Sequence, residues 1–279
     1  MGNIQRQNEA EAAAQKIRQA FGLPEGYDHA GVGLVLGTGW GDALNIENRQ
    51  ELDFREIGGF QTLGSLEGHA RKVVYGTIAG KEVLALQGRV HLNEGHTPDI
   101  PLMVRLQTEM LLRMGVRNLI VTSAVGSLRK HVAVGDIAIV ESFITLFAPA
   151  MPLWAGEFCS PEDMLDPNLV VLAANACGAS DLQPWPKMNH AMVRGPFFEG
   201  RKNDKGILKR LGADVVGMSM LPEACVAAVY GVKVLGLGFV TNNDTEVHSH
   251  EDNIARAKKN QAKLASLLDT IVHDIPNAG

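Results

Sequence analysis

The stretch "GVGLVLGTGWGD", residues 31–42, joins a short apolar run to a turn with glycine at every second position. An apolar run of this length is typical of a buried strand. Glycines directly after a strand allow bare backbone N–H groups to approach a phosphate closely. The stretch therefore predicts a strand followed by a glycine loop, which by itself suits either an anion-binding loop or a plain tight turn. It leaves open whether the phosphate belongs to a dinucleotide, to a nucleoside triphosphate or to a free inorganic ion.

Further apolar runs alternate with helix-period segments along the chain, an order that predicts a largely parallel sheet. A hairpin at Ala79-Gly80 would make the sheet mixed. We find no linker, and expect an α/β fold: a single-domain three-layer α/β/α sandwich with a mixed central sheet. Residues 1–29 are expected to form an N-terminal helical segment packed on the domain of residues 30–279. The expected strands span 31–36, 71–78, 81–87, 117–123, 135–142, 190–195, 213–218 and 232–241, and the expected helices 7–20, 98–114, 167–177, 200–211, 220–230 and 250–272.

The composition is that of an ordinary soluble globule. The chain has 279 residues, 46% of them hydrophobic, and a formal net charge of −5, which argues against a general nucleic-acid binder. Its three cysteines form no CxxC pair, so we expect neither a disulfide framework nor a zinc site, and a reducing, cytoplasmic location. No apolar run of membrane-spanning length occurs, so no membrane partner is expected.

Six expected strands end in glycine-rich, polar or charged segments: "GTGWG", "GRVH", "SAVG", "GPFFE", "GMS" and "TNND". Ligands of α/β sheets bind at the carboxyl ends of strands, so these segments could surround one pocket. Arg89 and His91 are two residues apart and would face the same way on an extended segment, which suits an oxyanion. Thr38 and Ser219 would add hydroxyls and Ala124 a backbone N–H. Because the Walker pattern G-x-x-x-x-G-K-[ST] is absent, this set favours free phosphate.

A dinucleotide site is the weaker alternative. It needs G-x-G-x-x-G, whereas the spacing here is G-x-G-x-G. Asp53 lies close enough behind the loop to serve as the acidic ribose ligand, which keeps this alternative open.

Two other strand ends suit a purine nucleoside. Glu199 follows two aromatic residues, so a planar ring could stack on Phe198 while the carboxylate accepts a ring N–H. Asn242 offers both a donor and an acceptor, as reading a purine edge requires. His250, in "HSHED", could contact a sugar hydroxyl; the H-x-H pair is not expected to bind metal. A helix start for Glu199, a turn for Asn242 and a helix cap for "HSHED" remain open from the residues alone.

Eight blocks occur in a familiar order: "VLGTGWG", "GHARKVVYG", "LQGRVHLNEGH", "VTSAVGSLR", "VGDIAIV", "VRGPFFE", "LGADVVGMSMLPE" and "FVTNN". Together they resemble the purine nucleoside phosphorylases of the trimeric type, from about residue 30 to residue 272. Methylthioadenosine phosphorylases share the fold and several of these blocks.

The resemblance implies phosphorolysis of purine (deoxy)ribonucleosides to free base and pentose-1-phosphate, in a homotrimer. Phosphate is a co-substrate, and no metal or organic cofactor is implied. The catalytic residues implied are Glu199, Asn242 and His91. The phosphate-binding residues implied are Thr38, His69, Arg89, His91, Ala124 and Ser219. The purine- and ribose-binding residues implied are Asn93, Phe198, Glu199, Val216, Gly217, Met218, Asn242 and His250, with Phe158 lent by a neighbouring subunit.

The chain departs from the family pattern at several of these positions. Thr38 stands where a serine is usual, Asn93 where a tyrosine is usual, and Ser123 where an asparagine is usual. Glu199 together with Asn242 favours a 6-oxopurine, whereas Asp244 could accept the amino group of adenine. The alternatives are a methylthioadenosine phosphorylase and a non-catalytic nucleoside-binding module.

Overall fold

The structure is a computed structural model that describes residues 3–64, 69–95, 97–154, 156–195, 200, 202–246 and 249–276. Its described strands are β1 (Gly31–Leu36), β2 (Glu47–Asp53), β3 (Lys72–Ile78), β4 (Lys81–Gln87), β5 (Val116–Ser127), β6 (Ile137–Ile144), β7 (Pro184–Met192), β8 (Val215–Gly217) and β9 (Lys233–Asn242). Its described helices are α1 (Asn3–Ala20), α2 (Asp99–Arg113), α3 (Pro167–Ala179), α4 (Asp204–Arg210), α5 (Leu221–Val229), α6 (His250–Lys259) and α7 (Gln261–Asp274). A 3-10 turn, Phe54–Glu56, follows β2.

The strands form one mixed sheet whose second half closes on itself. Strands β2, β3, β4 and β1 lead to β5, which continues through β8, β7 and β6 to β9. β9 also pairs with β5 in parallel, so these five strands make a closed barrel with the other four as an extension. The predicted α/β sandwich with a mixed sheet is confirmed. The closure of the barrel was not predicted from the sequence.

β1 explains why helices cover both faces of the sheet. Val35 packs in an apolar cluster with residues of α1 and α2, whereas Leu34 and Leu36 pack in a second cluster with residues of α7. Successive side chains of a strand point to opposite faces, so a strand that is apolar throughout needs cover on both. On the first face α1 contributes Ala14 and Ile17, both fully buried.

The predicted hairpin is confirmed. Ile78 of β3 pairs with Lys81 of β4, and the two residues between them, Ala79 and Gly80, both have positive φ. Such a two-residue turn matches the right-handed twist of the strands.

Three sequence predictions need correction. β2 was not expected, because "ENRQELD" is polar and nearly all of it is exposed at the edge of the sheet. The strand expected at 190–195 lies earlier, at Pro184–Met192. The single helix expected over 250–272 is two helices, since the chain leaves helical geometry at Asn260. In the described part of the chain no helix is long and apolar enough to cross a bilayer.

Candidate active site

A cavity of about 350 Å³ opens at the carboxyl ends of β1, β5 and β9. That volume lies in the usual range for small-molecule sites. Of the residues predicted to bind phosphate, it brings together Thr38, His69, His91, Ala124 and Ser219. Of those predicted to bind purine or ribose, it brings together Asn93, Val216, Gly217, Met218, Asn242 and His250.

The glycine loop after β1 forms one wall of the cavity, and its glycines are required by close packing. A Cβ on Gly37 would lie 2.6 Å from the Thr122 carbonyl oxygen and 2.7 Å from Nη2 of Arg89. Gly39 has a φ of +81°, and a Cβ there would overlap the side chain of Ala257 in α6. The loop is therefore pressed between β5 and α6, which leaves the Thr38 side chain facing the cavity.

His69 lies beside Thr38 with a defined hydrogen-bonding role. Its Nδ1 accepts the backbone N–H of Arg89 at 3.1 Å, and its Nε2 lies 3.4 Å from Oγ1 of Thr38. Burial, with the neighbouring cationic groups, lowers the pKa of His69 to about 2. The ring is therefore neutral at physiological pH, and its single proton is on Nε2. His69 can donate to an anion held beside Thr38.

His91 has the complementary arrangement. Glu94 accepts the backbone N–H of His91 at 2.6 Å, and its Oε1 lies 3.2 Å from Nδ1 of the ring. The other oxygen of Glu94 pairs with Arg71. Burial lowers the pKa of His91, although Glu94 opposes the shift. Because a carboxylate only accepts, the proton of the neutral ring lies on Nδ1, and Nε2 is left as an acceptor.

The two rings meet edge to face, with centroids 4.7 Å apart. The neutral donor Nε2–H of His69 therefore lies next to the neutral acceptor Nε2 of His91. A singly protonated phosphate has oxygens that accept from the first and a P–O–H group that donates to the second.

Ser219 is engaged with Ser123 across the cavity wall. Ser123 Oγ donates to the Ala124 carbonyl at 2.9 Å, and the two serine hydroxyl oxygens are 3.0 Å apart. Since each hydroxyl has one proton, Ser219 is the donor to Ser123 in this arrangement. Ser219 must turn its proton away from Ser123 before it can donate to a ligand.

Arg89 lies beneath the cavity rather than in its wall. β4 ends at Gln87, and Gly88 has positive φ, so the segment that follows is not an extended strand. The extended geometry on which the shared face of Arg89 and His91 was expected is therefore missing, and of the two residues only His91 lines the cavity. The Arg89 side chain is fully buried, and its guanidinium contacts Glu223 and the Thr122 carbonyl.

Asn242 stands at the far end of the cavity, where β9 ends, and its side chain is buried. Its Oδ1 accepts the Thr241 hydroxyl at 3.2 Å. A Cβ on Gly126 would lie 2.9 Å from the Asn242 amide nitrogen, so glycine there gives the amide its room. The amide group and one oxygen lone pair of Asn242 remain available to a ligand.

Asn93 and Met218 border the same end, with the Asn93 amide 3.8 Å from the Met218 sulfur. Gly195 accommodates Asn93, because a Cβ on it would lie 3.1 Å from Cβ of Asn93. His250 is the first residue of α6. It follows the N-cap residue Ser249, which forms a capping box with Asp252.

Two acidic residues considered in the sequence have structural partners. Asp244 forms an ion pair with Lys209 of α4 and does not line the cavity. Asp53 caps the 3-10 turn and pairs with Arg55, so it plays the part of a turn residue.

Three predicted residues cannot be placed in the cavity lining. Phe198 and Glu199 fall outside the described residues. Phe158 does not line the cavity of its own chain, and 89% of it is exposed.

Sequence reasoning missed Glu94, Thr241 and Asn253 in the cavity lining. It also missed Glu223, the partner of Arg89. Glu94 could have been found by its spacing of three from His91, and Thr241 by its place next to Asn242. Nothing in the sequence links Glu223 to Arg89, 134 residues away.

Comparison with known proteins places this geometry in a family. The sequence profile of the Phosphorylase superfamily matches residues 32–273. Purine nucleoside phosphorylase 1 of Bacillus subtilis is 32% identical over 274 residues, covering 94% of this chain and 97% of that protein. The rat purine nucleoside phosphorylase is 29% identical over 262 residues, covering 88% and 89%.

Among solved structures, isoform 2 of the Schistosoma mansoni purine nucleoside phosphorylase, in complex with cytosine and ribose-1-phosphate, superposes with a TM-score of 0.83. It is 26% identical, and the match covers 97% of this chain and 98% of that one. The chain belongs to the purine nucleoside phosphorylase family of the phosphorylase superfamily.

Proposed function

We propose that the protein is a purine-nucleoside phosphorylase that cleaves 6-oxopurine (deoxy)ribonucleosides with inorganic phosphate. One observation supports the proposal: a single cavity is lined both by the glycine loop with two neutral histidines and by the amide of Asn242. Phosphate is the co-substrate, and the proposed reaction needs no metal or organic cofactor.

The phosphate end would position the nucleophile. The Thr38 hydroxyl, the Ala124 backbone, the Ser219 hydroxyl and Nε2–H of His69 would donate to phosphate oxygens. Nε2 of His91 would accept the remaining P–O–H, which orients an unprotonated oxygen toward C1′. Arg89 would supply the positive charge from below. Holding phosphate under the ribose replaces a bimolecular encounter with a positioned attack.

The purine end would stabilise the leaving group. As the phosphate oxygen bonds to C1′, the C1′–N9 bond breaks and its electron pair stays on the purine. Asn242 would donate to the purine ring as this negative charge grows, and Glu199 would accept the N1–H of a 6-oxopurine. Phe198 would stack on the base, with Val216, Gly217 and Met218 beside it. Since Lys209 already pairs with Asp244, we favour a 6-oxopurine over adenine.

The sugar contacts and the assembly belong to the same proposal. His250 would bind the 5′-hydroxyl, and Asn93 would stand near the ribose. Phe158 is 89% exposed, and Leu146 on the same connection between β6 and α3 is 74% exposed. Such side chains suit an interface between copies, so we propose a homotrimer in which Phe158 completes a neighbour's site. The domain boundary at residue 30 and the cytoplasmic location stay predictions.

An assay with alternative nucleosides tests the proposal. The protein is incubated with inosine, guanosine, xanthosine, adenosine or methylthioadenosine, with and without phosphate, and free base is measured. Phosphate-dependent release from inosine or guanosine supports the proposal. Release from methylthioadenosine alone would favour a methylthioadenosine phosphorylase, and binding without turnover would favour a nucleoside-binding module.

Glu199→Ala tests the base assignment. It should lower kcat/KM for inosine by roughly a hundredfold or more, as the loss of a charged hydrogen bond to the transition state does. Glu246→Ala, another acidic residue after a strand end, serves as the control. Unchanged activity in Glu199→Ala would contradict the assignment of this carboxylate to the base.

A further inference from the structure

Arg89 and Glu223 form an ion pair directly under the cavity. Nη1 of Arg89 lies 3.1 Å from Oε1 of Glu223, and the two side chains are 0% and 2% exposed. The pair is incompletely satisfied. Nε of Arg89 and Oε2 of Glu223 are buried and lack a hydrogen-bond partner among the described residues. Each unpaired buried polar atom has a cost, so a pair in this state is poised to change partners.

Two of the residues that contact Arg89, His69 and Thr122, also contact the glycine loop. The backbone N–H of Arg89 binds Nδ1 of His69. Its Nη2 donates to the Thr122 carbonyl, and the Thr122 hydroxyl accepts the Gly37 N–H at 3.1 Å. A Cβ on Gly37 would lie 2.7 Å from the same Nη2. The guanidinium therefore lies against the backbone of Gly37, which lines the cavity.

Glu223 contacts the other terminal nitrogen of the guanidinium, Nη1. It lies in the first turn of α5, four residues after Ser219, which lines the cavity. The guanidinium therefore contacts a carboxylate through Nη1 and lies against the glycine loop of the cavity at Nη2. A phosphate placed beside Thr38 and His69 and the carboxylate of Glu223 would compete for the same positive charge.

We propose that Glu223 is a positioning residue that sets the affinity for phosphate through Arg89. In the empty site its carboxylate neutralises a cation that burial would otherwise make very unfavourable. When phosphate binds, Arg89 shares its charge with the anion, while Glu223 repels that anion through the low-dielectric interior. The carboxylate thereby weakens phosphate binding and eases the release of a phosphorylated product. This inference rests on the proposed phosphorolysis.

Glu223→Gln tests it, because the amide keeps a hydrogen bond to Arg89 but removes the negative charge. The dissociation constant for inorganic phosphate, measured by calorimetry, and the KM for phosphate should both become about three- to tenfold lower. The midpoint of thermal unfolding should fall without phosphate and recover when phosphate is added. A purely structural role would lower the midpoint but leave phosphate affinity unchanged.

Glu109→Gln is the matched control. Glu109 forms a buried pair with Arg105, at 2.6 Å, and does not line the cavity. Glu109→Gln should lower stability and leave phosphate affinity unchanged. Equal or weaker phosphate binding by folded Glu223→Gln would overturn the proposal, and so would the same tightening in Glu109→Gln.

Two further measurements keep the test decisive. If Glu223→Gln does not fold, a crystal structure of the wild-type protein with phosphate should show Arg89 bonded to a phosphate oxygen. If the Arg89–Glu223 pair is unchanged in that structure and Arg89 does not contact phosphate, the inference is overturned. The calorimetric titration uses phosphate alone, so it tests the role of Glu223 even if no nucleoside is cleaved. An absence of nucleoside cleavage would instead reject the proposed phosphorolysis.

Discussion

Two buried arginines of this protein differ in how completely their guanidinium groups are paired. Arg105 donates from Nε to Glu109 at 2.6 Å and from Nη2 to Glu157 at 2.8 Å. Its Nη1 contacts Glu157 and the Pro152 carbonyl, and the group stacks on the Trp154 ring. By contrast, Nε of Arg89 has no hydrogen-bond partner among the described residues. The carboxylate of Glu223, which pairs with Arg89, likewise has one oxygen, Oε2, without such a partner.

The contrast teaches how to separate a structural ion pair from a functional one. Both arginines bear a buried charge, and burial of a charge is tolerated only when it is paired. Arg105 ties α2 to the loop that contains Trp154, and each of its three nitrogens has a hydrogen-bond partner. Arg89 retains an N–H donor below the predicted phosphate position. Incomplete satisfaction next to a cavity therefore marks the arginine that we expect to take part in ligand binding.

The largest expected effect concerns Arg105. Arg105→Ala leaves Glu109 and Glu157 without their common partner, so the free energy of unfolding should fall by about 3–5 kcal/mol. Urea unfolding followed by circular dichroism measures this change. At a temperature where the variant is folded, its KM for phosphate should equal that of the wild type. A large change in that KM would show that an arginine paired with two carboxylates away from the cavity also acts on the site.

Arg89→Lys should have the next largest effect, and on a different quantity. Lysine keeps the charge but loses the planar fork of donors. We expect the KM for phosphate to rise by roughly tenfold or more, because hydrogen bonds to charged groups contribute about 1.5–3 kcal/mol. Steady-state kinetics with varied phosphate measure it. Arg105→Lys is the matched control and should leave this KM unaltered. An unaltered phosphate KM in Arg89→Lys would show that Arg89, like Arg105, has a structural role only.

The same contrast shows how far sequence reasoning reaches. β1, the β3–β4 hairpin and β9 could be predicted because each is an apolar run bounded by glycine or polar residues. β2 could not, since an exposed edge strand is polar and is held in place by its pairing with β3. Closure of the barrel depends on pairing of β9 with β5, which are far apart in sequence.

The site shows the same limit. The residue types at strand ends predicted most of the described cavity lining, because backbone topology alone brings those ends together. The burial of Arg89 could not be predicted, since its side chain is held by a carbonyl of β5 and by a carboxylate from a distant helix. Alternation along a strand predicts side-chain direction only as far as the strand continues.

His190 tests whether unpartnered buried polar atoms indicate function only when they lie next to the cavity. It is fully buried, both ring nitrogens lack a partner within the described residues, and it lies behind Gly217 against Phe143 without lining the cavity. Burial lowers its pKa to about 4. The unfolded chain therefore binds the proton more strongly, and stability contributed by the neutral ring is lost as the pH falls from about 6.5 toward 4.

His190→Leu should remove this acid sensitivity. The free energy of unfolding of the wild type should fall more steeply with acidification than that of the variant, by up to about 1.4 kcal/mol per pH unit. Chemical denaturation at pH 7, 6 and 5 measures the difference. Nucleoside cleavage at pH 7 should be retained. Lost cleavage in a folded variant would mean that unpartnered atoms mark function even outside the cavity wall.

Thr38→Ala should give the smallest effect and sharpens the assignment of the loop above Arg89. Only one neutral hydroxyl is lost, so the KM for phosphate should rise about three- to tenfold, corresponding to roughly 0.5–1.5 kcal/mol. Purine binding should be nearly intact, because Thr38 lies at the histidine end of the cavity. Thr38→Ser keeps the hydroxyl and should behave like the wild type. Calorimetric titration with phosphate and with hypoxanthine measures the two affinities separately. Equal weakening of both would place Thr38 in the support of the whole cavity rather than at the phosphate.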